Sequence, residues 1–238
     1  MKKMLTLVLA LSLVLMVGLS MAEAATPITH ADYVAAELDS AVTVETFVQD
    51  TQSWWDNAIT VYAQSPDGAY FIYNMACSEE DAAKLVPGTK ILVTGFKSEW
   101  SGEVEITDAT FEILPLADGE EAFIAEAEDV TALLGTDALI EKQNQLVSFK
   151  GVTIEAYNEA GAAFEYKNEN DKTDDLYFKA SLDGVTYDFC VEFYLRGQDS
   201  EVYKAVENLQ VGDVVDLEGY LYWYNGSNPH IISVTPAN

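Results

Sequence analysis

Leu85-Val86-Pro87-Gly88-Thr89-Lys90-Ile91-Leu92-Val93-Thr94-Gly95-Phe96 and Leu209-Gln210-Val211-Gly212-Asp213-Val214-Val215-Asp216-Leu217-Glu218-Gly219-Tyr220 are two copies of one pattern. In each, a leucine precedes a glycine by three residues, apolar residues then alternate, and a second glycine stands before an aromatic. Leu85 and Leu209, Gly88 and Gly212, Gly95 and Gly219, and Gly102 and Gly226 all keep one constant offset, which chance does not supply for so many punctuating glycines. Alternation at every second residue is the period of a half-buried strand. The first glycine of each block is expected to end a helix at positive φ. The second should allow a sharp strand bend where a side chain would clash.

Working outward from the blocks, each copy reads as three strands, a short helix and two more strands. In the first copy, Val42, Val44, Thr46 and Val48 alternate as a strand, and 58–64 forms another. Asp67-Gly68 turns the chain into a third strand at 69–75. Ser78 caps a helix at 78–85 whose first turn, Glu79-Glu80-Asp81, complements the positive helix end. Strands at 91–96 and 103–111 follow, joined through Ser101-Gly102. The second copy repeats this with Asp183-Gly184 as the turn, a strand at 185–194 and a helix at 200–209. Its first connection grows from 49–57 to 157–175, with an added strand pair expected around 162–167. Loops of that length in compact domains are usually functional or disordered.

Five antiparallel strands with a helix between the third and fourth is the order of an OB-fold, a partly open Greek-key barrel. The repeated block resembles the start of the fourth strand in bacterial OB-fold domains, over 42–114 and about 146–236. The resemblance implies a mainly β protein of two tandem OB-fold barrels, of a bacterial secreted kind, and implies no particular activity. The expected division is a signal peptide at 1–24, an N-terminal helix within 25–40 (Thr29 capping 31–38), a first OB domain at 41–114, a linker with a short helix at 115–144 (the helix at 129–134, stopped by Gly135), and a second OB domain at 145–238.

Met1-Lys2-Lys3, an apolar run at 5–19 and Ala22-Glu23-Ala24 make a secretory leader cleaved after Ala24. No later apolar run is of spanning length, so a secreted or cell-envelope protein without a membrane span is expected. Twelve basic residues face 40 acidic ones, a net charge of −28. Nucleic-acid affinity depends on Lys and Arg displacing counterions, which makes nucleic acid an unlikely partner on charge alone. The acidic surface is expected to serve solubility, with cation binding as the alternative. Cys77 and Cys190 fall in different repeats at strand positions, so buried free thiols are expected rather than a bridge.

The chain is not expected to be an enzyme or to carry a cofactor. It has two histidines, His30 and His230, and none of the Gly-x-Ser-x-Gly, His-Glu-x-x-His, Gly-x-x-x-x-Gly-Lys or Cys-x-x-Cys motifs. OB-fold ligands lie across the second and third strands, gripped by the first and last loops. Trp54, Trp55, Trp100, Tyr222, Trp223 and Tyr224 fall in those loops, and flat aromatic faces there suit sugar rings, peptides or bases. The expected function is binding of a glycan or protein. Single-stranded nucleic-acid binding and a purely structural spacer are the alternatives, the last with these aromatics covering barrel ends or packing the barrels together. Asn168, Asn170, Asp171, Asp174 and Asp175 form the one calcium candidate, although Lys172 occupies a position where such a loop wants an oxygen.

Overall fold

The computed structural model describes residues 26–168 and 172–237. The expected leader at 1–24, and Asn170 and Asp171 of the acidic loop, lie outside the described residues. After α1 (His30–Ala35), whose Thr29 cap accepts from the Asp32 amide, the first repeat folds as β1 (Ala41–Thr51), β2 (Ala58–Ser65), β3 (Gly68–Ala76), α2 (Glu79–Ala82), β4 (Lys90–Trp100) and β5 (Glu103–Ile113). The five strands close in the order β1-β2-β3-β5-β4. One long strand serves two sides of this ring: β1 pairs with β4 through Ala41 to Phe47, and with β2 beyond it. A short parallel joint between β3 and β5, Phe71 against Glu105 and Ile72 against Ile106, completes the closure.

The second repeat follows a two-residue strand β6 (Glu128–Asp129). It comprises β7 (Leu146–Glu155), β8 (Phe164–Tyr166), β9 (Leu176–Leu182), β10 (Val185–Val191), α3 (Glu201–Glu207), β11 (Val214–Tyr220) and β12 (His230–Pro236). β7 pairs with β11 along most of its length and with β9 at Thr153 to Glu155, so β7, β11, β12, β10 and β9 form a closed five-strand ring. The parallel joint recurs between β10 and β12, where Cys190 faces His230. The protein is therefore mainly β, with two tandem OB-fold barrels of one topology.

Each barrel is filled by the inward face of its alternation. Val44, Val61, Ile72, Ile91, Val93 and Ile106 are fully buried in the first, and Val147, Phe149, Ile154, Phe178, Val191 and Leu217 in the second. Full burial of one such side chain contributes roughly 1.5–3 kcal/mol before chain entropy is counted. Helices complete both cores. Tyr33 of α1 enters the first, and Val202, Tyr203 and Val206 of α3 enter the second.

The first glycine of each pair has the expected positive φ, 86° at Gly88 and 96° at Gly212, but it does not end the helix: the helices close at Ala83 and Asn208, and the glycines turn the chain just before β4 and β11. Gly95 and Gly219 sit at register shifts in β4–β5 and β11–β12. A side chain at Gly95 would come within 2.7 Å of the Thr107 carbonyl, and one at Gly219 within 2.8 Å of Ile231 Cα.

Some elements differ from expectation. The helix read at 78–85 ends at Ala82, yet Leu85 still reaches the core. The segment 129–134 is not an α-helix. Asp129 accepts from the Thr131 amide and hydroxyl, tightening the chain into a 3₁₀ turn at Thr131–Leu133, with Val130 and Leu134 buried on either side. The added strand pair near 162–167 is the single strand β8, hydrogen-bonded to β9. Cys77 and Cys190 are both buried and unpaired.

The barrels dock through Tyr62 and Phe71 of the first against Leu195 and Tyr220 of the second. Polar contacts surround this contact. The Trp223 amide donates to Glu103 Oε2 at 2.8 Å, Gln143 Nε2 to the Gly102 carbonyl at 2.8 Å, and the Leu146 amide to Gln64 Oε1 at 2.9 Å, while Arg196 pairs with Asp50.

Candidate ligand cleft between the barrels

Docking leaves a cleft of about 630 Å³ between the outer β2–β3 face of the first barrel and the matching β9–β10 face of the second. The first barrel contributes Gln52 and Trp55 from its β1–β2 loop, Phe71, Tyr73 and Asn74 from β3, and Trp100 from the end of β4. The second contributes Tyr177 from β9, Cys190 from β10, Glu192 and Tyr194 just beyond it, Tyr222, Tyr224 and Asn228 from the β11–β12 loop, and His230. Alternation explains the β3 side. Tyr70 and Ile72 point into the barrel, so Phe71 and Tyr73 share the outer face, their rings stacked at 6.4 Å.

The rim is aromatic and open. Trp55 is 78 % exposed and Trp100 61 %, and Tyr73, Tyr194 and Tyr224 are also exposed. The floor is polar and buried. Tyr222 stacks on His230 at 4.2 Å, and His230 Nδ1 lies 2.6 Å from the Tyr62 hydroxyl. Burial pushes the His230 imidazole down to about 4, which leaves it neutral near pH 7. Burial, with the Asp175 carboxylate as a second cause, pushes the Glu192 carboxyl up to about 7. The Cys190 thiol is also held well above its ordinary value by burial, and a protonated thiol is a poor nucleophile.

The structure brings Trp55, Trp100, Tyr222 and Tyr224 together around this cleft and separates the other two predicted residues from it. Trp54 turns back against the first barrel's core, its indole N–H donating to the Cys77 carbonyl at 2.8 Å. Trp223 packs against the second core and lies over Gly102, whose lack of a side chain makes room for the ring. Tyr73, Tyr194, Glu192 and His230 were missed. Phe71 and Tyr73 carried a legible signal, two aromatics at strand spacing on one outer face. His230 and Glu192 carried none, because their proximity depends on how β10 and β12 pair.

Three residues of the calcium candidate, Asn168, Asp174 and Asp175, are described. Asp175 is buried, accepts from Lys167 Nζ at 3.1 Å and from the Phe193 amide at 3.0 Å, and lines the cleft. Asn168 donates to Asp174. Among the described residues, no cluster of three His, Cys, Asp or Glu side chains could hold a metal ion.

These features define a class: a tandem OB-fold protein with one aromatic cleft shared by both barrels. No protein-family model and no curated protein matches the sequence. Several solved structures are similar in chain trace. The Ifi202 HINa domain in complex with 20-base-pair double-stranded DNA is 15 % identical, with 84 % of this chain and 100 % of that chain covered, at a TM-score of 0.36. A murine DNA-binding protein bound with double-stranded DNA is 10 % identical, covering 82 % and 96 %, at 0.37. The tetrameric p202 HIN2 is 11 % identical, covering 85 % and 96 %, at 0.34. The two-barrel assignment itself rests on the strand pairings above.

The lining of the cleft, aromatic rings with Gln52, Asn74 and Asn228 among them, is where a ligand's chemistry would be decided, so the expectation of a glycan or protein ligand is withdrawn, as is the exclusion of nucleic acid. The physical reason lies in what net charge measures. A total of −28 describes repulsion of phosphates by the whole surface. It says little about a cleft walled by aromatic rings and amides, whose flat faces suit stacking.

Proposed function

We propose that this protein binds an unpaired nucleic-acid strand by its bases, in the cleft between its two OB barrels. The observation that carries the reading is the ring of exposed aromatics, Trp55, Trp100, Tyr73, Tyr194 and Tyr224, around a floor that offers hydrogen bonds. Stacking on such rings is worth about 1–3 kcal/mol per base and tolerates any sequence. The amides of Gln52, Asn74 and Asn228 lie within the same cleft to meet base edges. Phosphates would stay outside, in solvent, because the surface is acidic and, among the described residues, Lys167 is the one cationic side chain lining the cleft. The protein acts in this reading by binding, without catalysis. Export belongs to the same proposal, supported by the basic, apolar and small-residue succession that opens the chain.

Titration of the full chain with short oligothymidylate, followed by tryptophan fluorescence, tests the reading. Quenching that saturates, with a shallow dependence on salt, is the expected result, since few counterions would be released. Trp55→Ala and Trp100→Ala should each weaken binding by about tenfold, within the range for one stacked base. Absence of quenching at low salt, or unchanged affinity in both variants, defeats it.

A further inference from the structure

The floor of the cleft holds a chain of hydrogen bonds whose direction can be worked out. Gln52 Nε2 donates to the Tyr62 hydroxyl at 3.3 Å. Gln52 and His230 are the Tyr62 hydroxyl's only partners among the described residues and Gln52 donates, so the one acceptor for the buried Tyr62 proton is His230 Nδ1, 2.6 Å away. Tyr62 is fully buried and stays protonated, since burial raises its hydroxyl well above the ordinary value. A neutral imidazole that accepts at Nδ1 carries its single proton on Nε2. Among the described residues Nε2–H has no partner, and the ring lines the cleft. The stack with Tyr222 and the β10–β12 pairing hold the ring in place.

Glu192 lies on the same floor, two residues beyond Cys190, which pairs directly with His230. Its Oε2 accepts from the Leu195 amide at 2.6 Å, which orients the carboxyl. Above about pH 7, where Glu192 is ionised, a fixed donor and a fixed acceptor thus line one recess walled by rings. Every nucleobase presents an adjacent donor and acceptor on its pairing edge, and that edge is free only in an unpaired base.

We infer that His230 Nε2–H and the Glu192 carboxylate read the Watson–Crick edge of one base in the cleft, which makes them the residues that select an unpaired strand over a duplex. This rests on the proposed stacking function and adds the recognition element to it. With thymine, the ring N3–H donates to Glu192 while a flanking carbonyl accepts from His230.

The test compares oligothymidylate, the same oligomer carrying N3-methylthymine, and its duplex with oligoadenylate, each titrated against the full chain. The methyl group removes the donor and blocks the edge while leaving the stacking face intact. Wild type should bind the methylated strand about tenfold more weakly, as expected for one lost edge contact, and should leave the duplex unbound. Glu192→Gln and His230→Gln should bring the methylated and plain strands to within about twofold of each other, with thermal melting used to confirm folding. Glu192→Gln is nearly isosteric, so it keeps the test valid should His230→Gln unfold. Equal binding of methylated and plain strands by wild type overturns the inference and leaves stacking intact. No binding of any strand overturns the proposed function itself.

Discussion

Trp54 and Trp55 are adjacent in sequence and have opposite fates. Trp54 is half-buried against the first core and hydrogen-bonded to the Cys77 carbonyl, while Trp55 projects into the cleft mouth. Their truncations should therefore separate stability from binding. Trp54→Ala removes a packed indole and should cost about 3 kcal/mol of unfolding free energy, measured by denaturant titration. Trp55→Ala should stay within about 0.5 kcal/mol of wild type, as a surface change does, while weakening ligand binding. A large stability loss in Trp55→Ala would place that side chain in a packing role instead.

Among the strands, the repeat is most constrained where two backbones approach. Gly95 and Gly219 mark the register shifts through which β4 and β11 bend into their barrels. Any Cβ there meets backbone of the neighbouring strand, which cannot rotate out of the way. Gly95→Ala and Gly219→Ala should each lower stability by about 1–3 kcal/mol through overpacking. Gly161→Ala is a useful control: it has positive φ but nothing within 4 Å of the added carbon, so it should cost only about 1 kcal/mol. Equal effects at all three would remove the steric account of the bend. The helices follow the same local logic. Ser78, Thr29 and Ser200 each cap a helix as their sequence positions imply.

Taken whole, the molecule buries acid at its barrel contact. Glu103 accepts from the Trp223 amide and from Gln143, its second oxygen is unpartnered, and burial pushes its carboxyl up to about 9. Glu105 beside it is pushed by burial up to about 7. A carboxyl whose value is raised on folding binds more protons folded than unfolded between its two values. Its contribution is fully present below about pH 4.5 and is lost as pH rises towards 9. His230 works in the opposite sense, adding stability as pH rises from about 4 to 6.5. Denaturant unfolding at pH 7 and pH 9 should therefore show lower stability at pH 9, and Glu103→Gln should flatten that decline. An undiminished decline in the variant would assign it to repulsion among the surface carboxylates instead.

Much of the fold was legible because it is local. Alternation, turn glycines and caps act within a few residues, and a repeat doubles every such signal, so two five-strand barrels followed from Leu85 to Phe96 and its twin. Some of the site was legible too: the loops that carry Trp55, Trp100, Tyr222 and Tyr224 do surround the cleft. What the sequence by itself determined, then, was the pair of barrels and the aromatic character of their loop ends. Only the tertiary structure decided which rings face the cleft, that both barrels share it, and that His230 and Glu192 both line it, because these depend on contacts between strands and barrels far apart in the chain. Net charge is uninformative about the cleft for a related reason: it sums the entire surface, whereas the composition of one recess is set by the docking of the barrels.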